Sequence, residues 1–399
     1  MRLVIIELAM WIVLLLLIKN CIIVPTQGHN NVFLNQTQLN DLFRGINLGN
    51  ALESPNFEGE WGVYITEKYI QLITDAGFNL VRIPIRWSAH ADSETPYSIE
   101  ESFFNRIDWV VDQCLSRGLC TIINIHHYEE IMDYPELHKS RFLALWQQIS
   151  VHYQNYSKNL YFEILNEPTN KLNSSFWNQY LQEAIEIIRV ANPKRTIIIG
   201  PTNWNNISDL DNLFLPQNDH QILVTFHYYS PFQFTHQGAA WVTDSYKWLG
   251  TEWIGTTSEK DAIRQDFDTA VQWAKNNNKS LFLGEFGAYS KADMESRARW
   301  TTFVAREAEE RNISWAYWEF CSGFGVYDPL QRQWRPKLLQ ALLPDSPLLS
   351  SMTFPSTNTI HSKTSNKTST QTTGSINLFA SLFAAIAASF FYRKRYNKT

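Results

Sequence analysis

The sequence predicts a (β/α)8 TIM barrel, and three observations carry the prediction. Short apolar runs alternate with helix-spaced segments across about 300 residues. Polar and aromatic residues follow the C-terminal end of nearly every run. Two of the runs, Phe162-Glu163-Ile164-Leu165-Asn166-Glu167-Pro168 and Leu281-Phe282-Leu283-Gly284-Glu285-Phe286-Gly287, end in a glutamate followed by a breaker. An apolar run of this length before Pro or Gly reads as a buried parallel strand. A glutamate at its lip is out of place in a core.

Taken in order, the expected strands are Gly45–Leu48, Leu80–Ile85, Thr121–Ile125, Leu160–Leu165, Thr196–Ile199, Ile222–Phe226, Leu281–Gly284 and Ser314–Trp318. Helical spacing fills several gaps, as in Phe103, Ile107, Val110, Val111 and Cys114, or Phe142, Leu145, Trp146 and Ile149. A doubly wound open sheet would want a Gly-rich phosphate loop after an early strand, and none is present. Of 15 tryptophans, Trp109, Trp146, Trp273 and Trp300 fall on helix-like repeats and are assigned to helix–barrel packing; Trp61, Trp87 and Trp204 stay undecided.

In a barrel all strand C-termini open on one face, and that face carries the site. Standing there are Asn47, Asn50 and Glu53, then Arg82, then His126 and His127, then Asn166 and Glu167. Asn203 and Trp204, His227-Tyr228-Tyr229, Glu285, and Trp318-Glu319 complete the ring. Strands four and seven lie across the mouth from each other, so Glu167 and Glu285 can flank one ligand. Paired carboxylates about 5–5.5 Å apart suit retaining glycoside hydrolysis, in which one attacks the anomeric carbon and the other protonates the leaving oxygen. A nucleophilic carboxylate needs a cation or hydroxyl donors to hold it ionised, and Arg82 and Tyr228 are the candidates. Glu163, inside strand four, could point outward or into the barrel.

The stretches RGINLGNALE, VRIPIRW, INIHHYEE, FEILNEP, FHYYSPF, GEFG and AYWEFCSGFG together resemble glycoside hydrolase family 5 from about Arg44 to Leu343. They look most like thermophile-type bacterial endo-β-1,4-glucanases, some of which also cut β-mannans. The resemblance implies Glu167 as general acid/base and Glu285 as nucleophile. It implies that Asn166 binds the sugar 2-hydroxyl and that Arg82 and Tyr228 orient Glu285. His126, His127 and His227 would line the cleft, with His227 supporting catalysis. Trp318 would be the stacking platform, and Asn50, Glu53, Trp241 and Glu319 would contact sugars in the subsites. The implied substrate is β-1,4-linked glucan, with mannan or mixed-linkage glucan as further substrates, and no cofactor. The competing reading is a catalytically silent carbohydrate-binding surface protein on the same scaffold.

The ends point to export. Residues 1–28 read as a secretory signal peptide or an uncleaved signal anchor, with an apolar stretch densest from Ala9 to Ile18. The folded unit is expected over residues 35–343. Residues 344–375 have Ser/Thr-rich stalk composition, 376–392 read as a transmembrane segment with a GPI signal as competitor, and 393–399 form a basic tail. Glycosylation sequons begin at Asn35, Asn155, Asn173, Asn206, Asn278, Asn312 and Asn366. Those before strands four, seven and eight belong on the far face, while Asn173 and Asn206 belong nearer the mouth. The expected state is a monomer, membrane-anchored at the cell surface or secreted.

A net charge of −5 without a long basic run argues against nucleic acid. The histidines lack His-x-His or HExxH spacing, so no metal is expected. Three of the four cysteines, Cys114, Cys120 and Cys321, are read as free buried thiols.

Overall fold

A computed structural model describes residues 42–352. The leader, residues 353–375 of the expected stalk, the C-terminal apolar segment and the sequons at Asn35 and Asn366 lie outside the described residues. The first part of the expected stalk, residues 344–352, instead extends the folded unit: Ser346 donates to the Ala76 carbonyl, and Leu348, Leu349 and Met352 pack against the core. Among the described residues no helix is long and apolar enough to cross a membrane.

Eight parallel strands close into a barrel in sequence order: β1 Arg44–Asn47, β2 Leu80–Ile83, β3 Cys120–Asn124, β4 Leu160–Glu163, β5 Ile197–Ile199, β6 Ile222–Tyr228, β7 Ser280–Phe286 and β8 Ser314–Tyr317. Each expected run holds a strand. The longer expectations for β2 and β4 had absorbed the lips, where the chain has already left the sheet. Helices α1 Glu67–Ala76, α2 Glu101–Ser116, α3 Pro135–His152, α4 Ser174–Ala191, α5 Thr257–Asn277, α6 Met294–Glu310 and α7 Pro336–Leu342 pack outside. A 3₁₀ segment, Ile207–Asn212, stands in for a long helix between β5 and β6. Helix starts follow their side chains. Thr256 and Glu259 form a reciprocal capping box on α5, and Asn173 and Asp293 cap α4 and α6.

Two apolar layers result. The larger joins the outward strand faces to the helices, and Trp146 and Trp300 are fully buried in it. Their indole N–H groups donate to the carbonyls of Ile164 and Ser230. The smaller layer fills the barrel floor with Leu80, Cys120, Ile122, Tyr161, Ile198, Leu223, Phe282 and Ala316. Gly45 completes it, because a Cβ there would stand 2.9 Å from the Trp315 carbonyl. Two residues further along β2, β3 and β4 the inward positions become Arg82, Asn124 and Glu163. The switch from apolar floor to polar mouth is a step of one strand period. Cys114, Cys120 and Cys321 are buried and free. The sequon asparagines at 155, 173, 206, 278 and 312 are all exposed.

Candidate active site

Arg82 is fully buried at the centre of the mouth and spends all five N–H donors on protein partners. Its Nε and Nη2 donate to the two oxygens of Glu163 at 2.5 and 2.6 Å. Nη1 donates to Asn47 Oδ1 and to Glu285 Oε1, both at 2.8 Å. Nη2 also donates to Asn166 Oδ1 at 2.8 Å. Burial alone would lower the guanidinium pKa, but Glu163 and then Glu285 outweigh it and raise it. Glu163 therefore points inward, which resolves the ambiguity in its orientation.

Glu285 owes its aim to an irregularity in β7. The β6–β7 register runs Phe226 opposite Leu283, then His227 opposite Glu285, skipping Gly284. Such a bulge re-aims the next side chain, and here Glu285 lands beside the His227 ring. Position 284 has to be glycine, since a Cβ would come within 2.5 Å of Thr225 Oγ1 and 3.0 Å of His227 Nε2. The second oxygen of Glu285 accepts from Tyr229 at 2.9 Å. Burial pushes the Glu285 pKa up, while His227 and Arg82 pull against that rise.

Glu167 enters from the β4 lip, with its backbone in the left-handed region at φ 48°. Its Oε1 lies 2.8 Å from His227 Nδ1, and the same nitrogen is 3.6 Å from Glu285 Oε2. For His227, burial lowers the pKa, but Glu285 and Glu167 more than restore it, and the net direction is up. One oxygen of each carboxylate and one ring nitrogen fall within 4.8 Å of one another. That spacing could also hold a cation. The donor set argues otherwise: both Glu285 oxygens already accept from Arg82 and Tyr229, and a cation there would adjoin a buried guanidinium.

Around this centre, His126 Nδ1 pairs with the Asn124 amide at 3.0 Å, and its ring lies parallel to the Trp318 indole at 5.9 Å. Burial holds the His126 pKa well below the ordinary value. His127 sits at φ 51° and meets Trp61 edge-on. Burial works against its charge, but the hydrogen bond to Glu129 wins and raises its pKa. Trp241 is half exposed and meets Tyr289 edge-on. Asn50, at φ 63°, turns the β1 loop. Trp87 belongs to the core, its indole donating to the Asn124 carbonyl, whereas Trp61 and Trp204 stand exposed at the rim.

Three sequence expectations need correction. Tyr228 does not reach Glu285; its hydroxyl donates to Asp266 on α5 at 2.8 Å, and Tyr229 takes the place assigned to it. Strand alternation explains this, because His227 and Tyr229 share a face that Tyr228 does not. Glu53 and Glu319 are buried braces and do not present their carboxylates to the cleft. Glu53 accepts from the backbone N–H groups of Asn50 and Ala51, and Glu319 from those of Cys321, Ser322 and Phe324. Burial pushes each up to about 7.

Sequence reasoning placed Tyr229 on the ring without its contact to Glu285, and it missed Asn124 and Asn205 as parts of the site. Asn205 donates its amide to His227 Nε2 at 3.2 Å. The alternation of β3 and β6 signals the first two, and nothing local signals the third.

A family profile described as cellulase (glycosyl hydrolase family 5) matches residues 46–323. The chain is 36% identical over 304 residues to endoglucanase H of Acetivibrio thermocellus, covering 75% of this chain and 32% of that protein. It thus spans about a third of the length of that relative. A crystal structure of Thermotoga maritima Cel5A with mannotriose is 53% identical, with a TM-score of 0.74, over 75% of this chain and 97% of that one. The Clostridioides difficile cellulose synthase subunit Z is 46% identical, with a TM-score of 0.73, over 76% and 100%.

Tyr229→Phe removes a donor to Glu285 and should lower kcat about ten- to a hundredfold, while Tyr228→Phe leaves it within about twofold of wild type; steady-state rates of the two variants check the correction. A buried carboxyl whose pKa rises on folding supports the fold below its unfolded value and loses that support as pH climbs through the folded value. Stability should therefore fall between the ordinary glutamate value of 4.5 and about 7. Glu319→Gln should be less stable at every pH, because its amide meets backbone donors, yet show a flatter slope. Chemical unfolding across that range measures the slope, and an unchanged slope would count against the assignment.

Proposed function

The chain belongs to glycosyl hydrolase family 5, the cellulases, and from that membership we propose a retaining, endo-acting hydrolase of β-1,4-linked glucan that also accepts mixed-linkage glucan and mannan. The observation that carries the reading is the convergence of Glu167, His227 and Glu285 atoms within 4.8 Å, with Arg82 donating to Glu285. That separation suits the retaining arrangement, whereas inverting pairs stand about 6.5–9.5 Å apart to admit a water.

In the proposed reaction Glu285 attacks the anomeric carbon through an oxygen held by Arg82 or Tyr229. The glycosidic C–O bond breaks as Glu167 gives its proton to the leaving oxygen, and a glycosyl ester remains on Glu285. Glu167, now anionic, takes a proton from water, and the resulting hydroxide equivalent attacks the same carbon and frees Glu285. The Asn166 carbonyl is occupied by Arg82, so its amide nitrogen is left to donate to the sugar 2-hydroxyl, an interaction that strengthens in the transition state. Trp318, backed by His126, offers a flat face for the sugar C–H groups. The half-exposed Trp61, Trp204 and Trp241 extend aromatic surface along the rim. Secretory export and attachment through the C-terminal segment belong to the same proposal, supported by the five exposed sequon asparagines.

Reducing-end release from carboxymethyl cellulose, lichenan and glucomannan tests the proposal. Release with a rapid fall in viscosity is expected, and no release from any of the three would overturn it. Glu285→Ala should abolish turnover, and azide should rescue it to an α-glycosyl azide. Glu167→Ala should suffer most on poor leaving groups, which need protonation most.

A further inference from the structure

Asn205 is fully buried, and of its side-chain groups only the amide nitrogen finds a partner, His227 Nε2. Its Oδ1 has no hydrogen-bond partner among the described residues. A buried amide with an orphaned oxygen is a poor choice for packing; an apolar side chain of similar volume would serve the core better. The backbone is also held in an unfavourable conformation. Asn203, Trp204 and Asn205 occupy the left-handed region in succession, at φ 60°, 59° and 54°. The Trp204 N–H donates to the Pro168 carbonyl, tying this turn to the residue after Glu167. Gly200 leaves room for the amide, since a Cβ there would strike Asn205 Oδ1. Strain and unsatisfied polarity of this kind collect at functional sites.

The consequence falls on His227. A neutral imidazole has one donor and one acceptor nitrogen, and the hydrogen bond at one fixes the role of the other. With the Asn205 N–H directed at Nε2, Nε2 is the acceptor and the proton sits on Nδ1. Nδ1 is the nitrogen that faces Glu167 at 2.8 Å and Glu285 at 3.6 Å. Resting on the function proposed above, we infer that Asn205 is a positioning residue that fixes the proton of neutral His227 on Nδ1, so that the ring donates to Glu167 throughout the cycle. The donation steadies the Glu167 carboxylate once its proton has gone to the leaving group, and holds it in line for the water step. The charged and titratable groups facing His227 are Glu167, Glu285, Arg82 and His126. None of them directs a donor at Nε2, which leaves that job to Asn205.

Histidine side-chain ¹⁵N shifts of the intact protein read the tautomer directly, with the His227 signal assigned by its loss in His227→Asn. Above the pH at which the ring gives up its second proton, the wild type should show Nδ1 protonated and Nε2 bare. Asn205→Asp reverses the polarity at Nε2 and should hold the ring charged to higher pH, by about one unit or more. The basic limb of its kcat/KM profile should move to lower pH, because a charged ring favours ionised Glu167. Asn205→Leu should lower kcat on aryl cellobiosides with poor leaving groups about tenfold with little change in KM. A wild-type ring protonated on Nε2 overturns the inference, and so does an Asn205→Asp protein that leaves both the His227 titration and the basic limb in place. Absence of wild-type turnover on any β-glucan would count against the function instead; the ¹⁵N spectrum still decides the tautomer.

Discussion

A single buried guanidinium sets the terms for the rest of the site. Arg82 sits where the barrel floor gives way to its mouth, with no access to water, so its charge needs protein partners for every N–H. Asn47 from β1, Glu163 and Asn166 from β4, and Glu285 from β7 supply them. Four strand ends are thereby bound to one rigid plane, and the bidentate fork to Glu163 fixes its orientation. Removing one partner from such a cluster costs about 3–5 kcal/mol, so the arrangement resists drift. Two carboxylates around one guanidinium leave a net negative charge, and His227 stands between Glu285 and Glu167 to moderate it.

Stability and chemistry occupy successive layers of the same strands. The floor is closed by Leu80, Ile122, Tyr161 and Phe282, and the next inward positions are Arg82, Asn124, Glu163 and Gly284. Because side chains alternate with a period of two, the outward faces stay apolar, buried Thr121 of β3 apart, and bind the helices. Above the polar layer the loops add aromatic surface, and buried Glu53 and Glu319 fold two of those loops on their own backbone N–H groups. Aromatic rim, charge-bearing centre and packed base are thus stacked along the barrel axis.

Much of this was legible in the sequence. The eight strands, the polar lips, both carboxylates and Arg82 stand in the right order, because a barrel places every strand end on one face. The failures share a physical cause. Tyr228 and Tyr229 are adjacent, and only the alternation counted from His227 separates them. Glu53 and Glu319 carry the residue type of a sugar contact but turn inward to satisfy backbone donors. The β7 bulge at Gly284, and the left-handed Glu167, His127 and Asn205, each costing about 1–3 kcal/mol, leave no trace in hydrophobic periodicity. Such conformations persist only where the surrounding structure imposes them, and here that structure is assembled from five strands far apart in sequence.

The central claim of the proposal is that the carboxylate of Glu285, gripped by Arg82 and opposed by Glu167, is the group that bonds to the sugar. Trapping with an activated 2-deoxy-2-fluoro cellobioside, followed by peptide mapping, tests it most directly. A fluorosugar ester on the peptide carrying Glu285, released on addition of an acceptor sugar, is the predicted result. A label on Glu167, on Glu163 or on any other side chain would contradict the account.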